Sequence, residues 1–324
     1  MSSRKKWIIA LSGILLAAAA LALILWRRSA ESGLALLRIL PPQADLYALV
    51  NFASLQRNPA VRRFLSDPPE VPVEEDYRRF VEASGFRYQD GLRQLALARI
   101  GSNYVGAARI AVDRSRMLQY LLTERTETTG KTEVLGNTVF TFGQVRPFRL
   151  ALPEPDLAVF SIGEDNTLIE KALSSLAAPP NGDSAASELA AAGELPRLSQ
   201  GNALALIVRT ERMFNQGSVQ PGSGPFRFGG PLLRGSKALY VTVQSGLTQL
   251  DFQVEVLCED EAAAARFARM IQSLLVLLRA APVEESDPAQ GKLAVLLRDI
   301  AVQQVSDSVL LQWQWDAETF RRLE

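Results

Sequence analysis

The residue types that most often do chemistry in proteins are scarce in this chain of 324 residues, which has no histidine and one cysteine, Cys258. Without histidine there is no His-based acyl transfer, no His-ligated zinc or iron site, and no usual base for a cysteine nucleophile. A lone cysteine also excludes an internal disulfide. Cys258 ends an alternating stretch in which a buried free thiol is expected. The sequence therefore predicts no catalytic, cofactor-binding or metal-ligating residue.

Carboxylates are the remaining candidates for acid–base chemistry, and they occur in two clusters. The first cluster consists of Glu70, Glu74, Glu75 and Asp76, and the second consists of Glu284, Glu285 and Asp287. Neither cluster has the Asp-x-Asp-x-Asp-Gly spacing of a calcium loop. Because charge runs in loops are usually solvated, we expect both clusters to be exposed to solvent.

A glycine- and proline-rich stretch over residues 215–235 has the most unusual composition in the chain. Its end, Gly235-Ser236-Lys237, has the wrong order for a phosphate-binding P-loop and precedes a strand pattern instead of a helix. Within the stretch, Phe226 and Phe228 flank Arg227, and aromatic side chains on a surface loop can anchor a partner. We therefore predict a surface loop with Phe226, Arg227 and Phe228 as its candidate partner contacts.

The elements that would position these residues are short alternating strands joined by tight turns. Hairpin patterns lie on either side of four turn sequences, which are Gly101-Ser102-Asn103, Gly136-Asn137, Ser245-Gly246 and Ser306-Asp307-Ser308. Sheets built from hairpins are antiparallel, and they commonly carry helices on one face. The pattern predicts an α+β fold of mainly antiparallel sheet with helices packed on one face.

The order of strand, short helix, hairpin, helix, strands and helix occurs twice along the chain. Each main helix follows an aspartate that can cap it, at Asp113, Asp165, Asp260 and Asp316. A proline-rich loop and an alanine-rich stretch separate the two series. We therefore predict a first α+β unit over residues 41–178, a linker over 179–196 and a second, similar unit over 197–324. The two units would form either a groove between them or one continuous sheet.

The first 28 residues have the features of a cytoplasmic tail and a membrane anchor. Residues 7–26 are uncharged, and as a helix they would span about 30 Å, the thickness of the hydrocarbon core of a bilayer. Aromatic and basic residues suited to the membrane interface stand at its ends, namely Trp7, Trp26, Lys5, Lys6, Arg27 and Arg28. The apolar run is too long for a signal peptide, so we predict an uncleaved signal anchor followed by a stalk over residues 29–40.

The distribution of charge supports an orientation and excludes one class of partner. A short basic tail before the span favours a cytoplasmic N-terminus and an extracytoplasmic body. Five of the 35 basic residues flank the span, which leaves 30 basic against 35 acidic residues and a net charge of −5 elsewhere. Because phosphate binding needs a basic surface, nucleic acid is not an expected partner of this body.

The start of the body resembles that of a group of bacterial proteins. Leu40-Pro41-Pro42-Gln43-Ala44-Asp45 leads into the apolar segment Leu46–Val50 after a lone N-terminal span. This arrangement is similar to that of uncharacterised bacterial single-span membrane-anchored proteins, whose body opens with an L-P-x-x-A-x pattern and carries a repeated α+β unit outside the cytoplasm. The resemblance implies this architecture and location, and it implies no activity.

Two functions fit these observations. The first is a non-enzymatic binding or scaffold protein of the bacterial cell envelope, held in the inner membrane by residues 7–26 and in contact with an envelope protein or polymer. The alternative is a carboxylate-based hydrolase that acts on envelope glycans. Such an enzyme needs two acidic side chains that face each other across a cleft, roughly 5–10 Å apart.

Overall fold

The computed structural model describes residues 33–66, 75–123, 128–178, 183–199, 201–215, 233, 235–280 and 299–323. The predicted anchor and the predicted contact loop lie outside these ranges, together with their candidate residues Lys5, Lys6, Trp7, Trp26, Arg27, Arg28, Phe226, Arg227 and Phe228. Within the described ranges, no helix is both long enough and apolar enough to span a membrane.

The strands of the described part form one 12-stranded antiparallel sheet. In chain order they are β1 (Leu46–Asn51), β2 (Leu92–Ile100), β3 (Asn103–Ile110), β4 (Thr128–Val134), β5 (Asn137–Phe142), β6 (Phe148–Glu154), β7 (Leu157–Ile162), β8 (Leu204–Val208), β9 (Ser236–Ser245), β10 (Gln249–Cys258), β11 (Ala301–Val305) and β12 (Ser308–Asp316). Their order across the sheet is β11-β12-β10-β9-β8-β1-β2-β3-β7-β6-β5-β4. The predicted α+β class with antiparallel pairing is confirmed.

Helices connect the strands and cover parts of the sheet. They are α1 (residues 33–39), α2 (Phe52–Leu55), α3 (Pro59–Ser66), α4 (Glu75–Ser84), α5 (Tyr88–Gly91), α6 (Arg114–Thr123), α7 (Thr167–Ala177), α8 (Ala185–Ala191), α9 (Leu195–Ser199), α10 (Thr210–Asn215), α11 (Glu261–Ala280) and α12 (Ala317–Leu323).

The two halves of the chain meet at the centre of the sheet through β1 and β8. These strands are antiparallel neighbours, with Leu46 opposite Val208 and Val50 opposite Leu204. Outward from this pair, the order is β1-β2-β3-β7-β6-β5-β4 on one side and β8-β9-β10-β12-β11 on the other. The five strands of the second half therefore occupy places equivalent to those of the five inner strands of the first half, in one continuous sheet with no groove between separate sheets.

Alternate residues of each strand point to opposite faces of this sheet. We call face A the face that carries Tyr47 and Leu49 of β1, and face B the face that carries Leu46 and Ala48. The pairing of the strands extends these two faces over all twelve strands.

Helices cover both faces of the sheet, and the prediction of helices on one face is wrong. In the first half, α1, α7 and α8 cover face A, whereas α4 and α6 cover face B. In the second half, α3, α11 and α12 cover face B. Helices on both faces are needed because some strands are apolar on both sides. Strand Leu157–Ile162 is apolar at five of its six positions, so burial of both of its sides is favourable.

The predicted stalk is wrong for its last eight residues, which belong to the core. Leu36, Leu37 and Leu40 are fully buried in the cluster on face A. Their spacing places them on one side of α1, and an apolar helix side of this kind is stabilised by packing on a sheet. The folded body therefore already includes residues 33–40, which precede the predicted boundary at residue 41.

The predicted linker is also part of the folded body over most of its length. Helix α8 buries Ala185, Ala186 and Leu189 in the same cluster, and α9 buries Leu198 there. We call residues 183–199 the strap. It connects the two halves by crossing face A at the centre of the sheet.

Two carboxylates of the strap hold it on the sheet, and the first is Glu188, which is partly buried. Its Oε2 accepts hydrogen bonds from the Tyr47 hydroxyl at 2.5 Å and from the backbone N–H of Gln43 at 2.6 Å. Its Oε1 accepts one from Arg212 Nη1 at 3.1 Å. Burial raises the pKa of Glu188, but these hydrogen bonds and the Arg212 charge outweigh it and hold that pKa below its ordinary value.

The second carboxylate is Glu194, which contacts only residues of the second half. Its Oε1 accepts hydrogen bonds from Arg209 Nη1 at 2.6 Å and from the Tyr240 hydroxyl at 2.7 Å. Burial, followed by the bond to Glu194, raises the pKa of Tyr240 well above its ordinary range. The phenol therefore remains a donor, and the strap is joined to both halves by charge-assisted hydrogen bonds.

Candidate functional site

The outer part of face A in the second half, away from the central strands, carries polar and exposed side chains. The exposed members are Gln244, Gln253, Gln312 and Gln314, and they come from β9, β10 and β12. No helix of the described residues packs on this part of face A. We call it the amide face.

The alternation of these strands explains why this face tolerates water. In β10, Phe252, Val254 and Val256 point to face B, whereas Gln253 and Glu255 point to face A. An antiparallel strand with one apolar and one polar side suits a sheet that is covered on one face only. The polarity of the strand therefore selects the uncovered side.

Antiparallel pairing arranges the side chains of the amide face in rows across the strands. One row holds Thr242, Gln253 and Gln312. The next row holds Gln244, Asp251 and Gln314. Neighbours within a row are about 4.8 Å apart, and rows along a strand repeat about every 6.7 Å. The rows line an open depression of about 730 Å³.

The chemistry of the depression is that of primary amides. Gln312 Nε2 donates a hydrogen bond to Gln253 Oε1 at 3.3 Å, and Gln249 Nε2 donates one to Asp251 Oδ1 at 3.0 Å. Each amide has two N–H donors and an acceptor oxygen, so these contacts leave further capacity for a ligand. Among the described residues that line the depression, none is a lysine or an arginine. It therefore suits hydroxyl and amide groups better than anions.

Three aspartates also line the depression, at Asp251, Asp299 and Asp316. Asp316 caps α12, because its Oδ1 accepts hydrogen bonds from the Thr319 N–H at 2.8 Å and the Thr319 hydroxyl at 2.9 Å. These bonds hold the pKa of Asp316 below its ordinary value. Asp316 therefore has a structural role, and Asp251 and Asp299 are the carboxylates that remain for a ligand.

Aromatic packing on face B supports the strands of the amide face from behind. The rings of Phe252 and Trp313 stack with their centroids 5.1 Å apart, and Trp315 lies 4.3 Å from Phe252. Trp315 also contacts Phe320 of α12 at 6.1 Å. The two tryptophans therefore pack on the helix-covered side of the sheet, which fixes the positions of the amide rows.

The residues that the sequence singled out do not converge on the amide face. Most of the two predicted acidic clusters lies outside the described residues, and Glu75 is the first residue of α4. Cys258 is free and buried as predicted, and burial raises the pKa of its thiol. In the part of the chain that the structure describes, no group of three or more acidic or cysteine residues could hold a metal ion.

Sequence reasoning missed the amide face although a signal for it was present. Strand β12 of the second half alternates between glutamine and tryptophan in Gln312-Trp313-Gln314-Trp315, whereas β7 of the first half is apolar on both sides. When neighbouring strands carry polar residues on the same side, that side of the sheet is expected to be exposed to solvent. The order of the strands was needed to see that these residues are neighbours.

No protein-family model matches this chain, and no curated protein matches it. Among solved structures it is similar to three crystal forms of the protein TP0453. Form III has 10% identity and a TM-score of 0.48, with 89% of this chain and 96% of that chain covered. Form IV has 11% identity and a TM-score of 0.47, with 87% and 93% covered. Form I has 12% identity and a TM-score of 0.43, with 89% and 95% covered.

Proposed function

We propose that this protein is a membrane-anchored binding or scaffold protein of the bacterial cell envelope, and that the amide face is its binding surface. Residues 7–26 would cross the inner membrane, with the N-terminus in the cytoplasm and the body outside it. The observation that carries the proposal is the exposure of ordered amide rows on half of one sheet face, while helices cover the other half.

The chemistry of the face indicates the class of ligand. Glutamine side chains offer donors and acceptors together, which complements the hydroxyl and amide groups of an uncharged envelope polymer. The regular spacing of the rows favours a repeating ligand that lies across the strands. The described lining residues include aspartates and no basic residue, which disfavours polyanions, including nucleic acid.

Co-sedimentation of the full-length protein in lipid nanodiscs with purified cell-wall sacculi tests this proposal. We expect the wild-type protein to pellet with the sacculi, and Gln253→Ala with Gln312→Ala to weaken binding by about tenfold, since each lost hydrogen bond contributes about 1 kcal/mol. Gln272→Ala is the matched control, because Gln272 is an exposed glutamine of α11 on the opposite side of the sheet. No binding by the wild type, or an equal loss in the control, would contradict the proposal.

A carboxylate-based hydrolase acting on envelope glycans is the second candidate, and the presence of Asp251 and Asp299 in the depression favours it. In this case the amide rows would hold the glycan while the carboxylates act as acid and base. Release of soluble fragments from sacculi tests it. Activity that is lost in both Asp251→Asn and Asp299→Asn supports a hydrolase, and binding without release of fragments supports the binding protein.

A further inference from the structure

The two outer edges of the sheet differ in how they are protected against pairing with another strand. Edge strand β4 carries Lys131 and Glu133, and its pairing with β5 is irregular between Thr128 and Gly130. Charges and bulges of this kind are the usual means of blocking edge-to-edge association. The first half of the molecule therefore ends in a protected edge.

The opposite edge, β11, has none of these features. Its sequence Ala-Val-Gln-Gln-Val has no charge and no proline, and its pairing with β12 is regular from Ala301 to Val305. Four of its five residues are exposed, and Val305 is 52% exposed. Among the described residues no strand lies on its outer side. Such an edge offers a row of backbone donors and acceptors to a further strand.

We propose that the β11 edges of two copies of this chain pair antiparallel, with Gln303 on the twofold axis. Ala301 then lies opposite Val305 of the partner subunit, and Val302 lies opposite Gln304 of the partner subunit. This register keeps equivalent faces on the same side, because residues directly opposite each other in an antiparallel pair share a face. The amide faces of the two copies become one continuous surface of twice the width.

The strand suits a second copy of itself for two reasons. An uncharged segment brings no like charges together across a twofold axis, and the two Gln303 amides can bond each other there. The covering helix also leaves room: α11 packs over β11 and β12, so two copies of α11 would lie about two strand spacings, or about 10 Å, apart. This is the usual distance between packed helices.

Sedimentation of the full-length protein in detergent micelles, over a series of protein concentrations, tests this pairing with a charge exchange at Gln303. We expect the wild-type protein to form a dimer. For Gln303→Lys alone and for Gln303→Glu alone, we expect the dissociation constant of the dimer to rise by more than about tenfold, because each variant places like charges opposite each other. An equimolar mixture of the two variants should recover a dimer that contains one copy of each. This recovery shows that neither variant is misfolded.

Lys131→Gln on the protected edge is the control, and it should leave the dimer unchanged. A monomeric wild type, a dimer that neither charge variant weakens, or a mixture that fails to recover would overturn the pairing. This inference rests on the sheet edge and not on the ligand. A monomeric Gln303→Lys that still binds sacculi would leave the proposed function intact, whereas a dimer without affinity for sacculi would contradict that function alone.

Discussion

The five strands of the second half have the same order as the five inner strands of the first half, but the two halves treat face A in opposite ways. In the first half, Ala107 and Val159 are neighbours on face A and are fully buried under the helices. In the second half, Gln253 and Gln312 are neighbours on face A of β10 and β12, the strands equivalent to β3 and β7, and both are exposed. One face of a single sheet is therefore core on one side of the central strands and surface on the other.

The helix that follows the last strand of each half accounts for this difference. Helix α7 follows β7 and returns to face A, where it buries Leu168, Ile169 and Leu173. Helix α12 follows β12 but packs on face B, where Phe320 joins the cluster with Trp315. We propose that the halves arose by duplication, and that the second lost its cover on face A as its strands became polar there.

The largest change in the free energy of unfolding is expected when a glutamine replaces a buried apolar residue on face A of the first half. Val159→Gln places an amide in a fully buried site, where it loses its hydration and finds no partner. We expect the free energy of unfolding to fall by about 3 kcal/mol, measured by denaturant titration of the full-length protein in micelles. A loss below about 1 kcal/mol would mean that the cover on face A is loose and that the halves differ less than the packing indicates.

The second prediction concerns the strap that ends the covered region. Glu194→Ala leaves Arg209 without its carboxylate in a mostly buried site, so we expect a loss of about 3 kcal/mol in unfolding free energy. The matched control is Glu154→Ala. Glu154 also pairs with an arginine, Arg109, at 2.8 Å, but its side chain is 44% exposed. Exposed pairs contribute below about 1 kcal/mol, so equal losses in the two variants would contradict a buried role for Glu194.

The third prediction is a pH dependence at Glu188, the strap residue that contacts both halves. Its folded-state pKa is lowered, so its stabilising effect is complete above the unfolded pKa of about 4.3 and is lost as the pH falls through the folded value. The difference in unfolding free energy between the wild type and Glu188→Gln should be largest near neutral pH and should shrink below about pH 4. A difference that does not change with pH would exclude this linkage.

Local patterns were sufficient for much of the fold. The hairpins around Gly101-Ser102-Asn103 and Ser245-Gly246 form as predicted, in β2–β3 and β9–β10. Asp260 caps its helix, with its Oδ1 2.6 Å from the Ala263 nitrogen. These features depend on residues close in sequence. Strand β6 was not predicted, and it contains Pro153, which weakens a strand pattern.

Contacts between residues that are far apart in sequence could not be predicted from the sequence patterns. The predicted stalk and linker looked like connections because their neighbours in sequence are loops, but their partners lie far along the chain. Tyr47 and Glu188 are 141 residues apart and bond directly. The amide face has the same origin, because its glutamines come from separate strands and form one surface only after β12 pairs with β10.

The smallest effect on stability is expected on the open face itself. Gln312→Val adds an apolar side chain where no helix covers it, so the free energy of unfolding should change by less than about 0.5 kcal/mol. Affinity for sacculi should fall nonetheless, because the valine removes the amide that bonds Gln253. Val159→Gln and Gln312→Val exchange the same two residue types on face A of the equivalent strands β7 and β12. If both variants lost stability equally, the polar side of the second half would be covered, and the amide face could not be a binding surface.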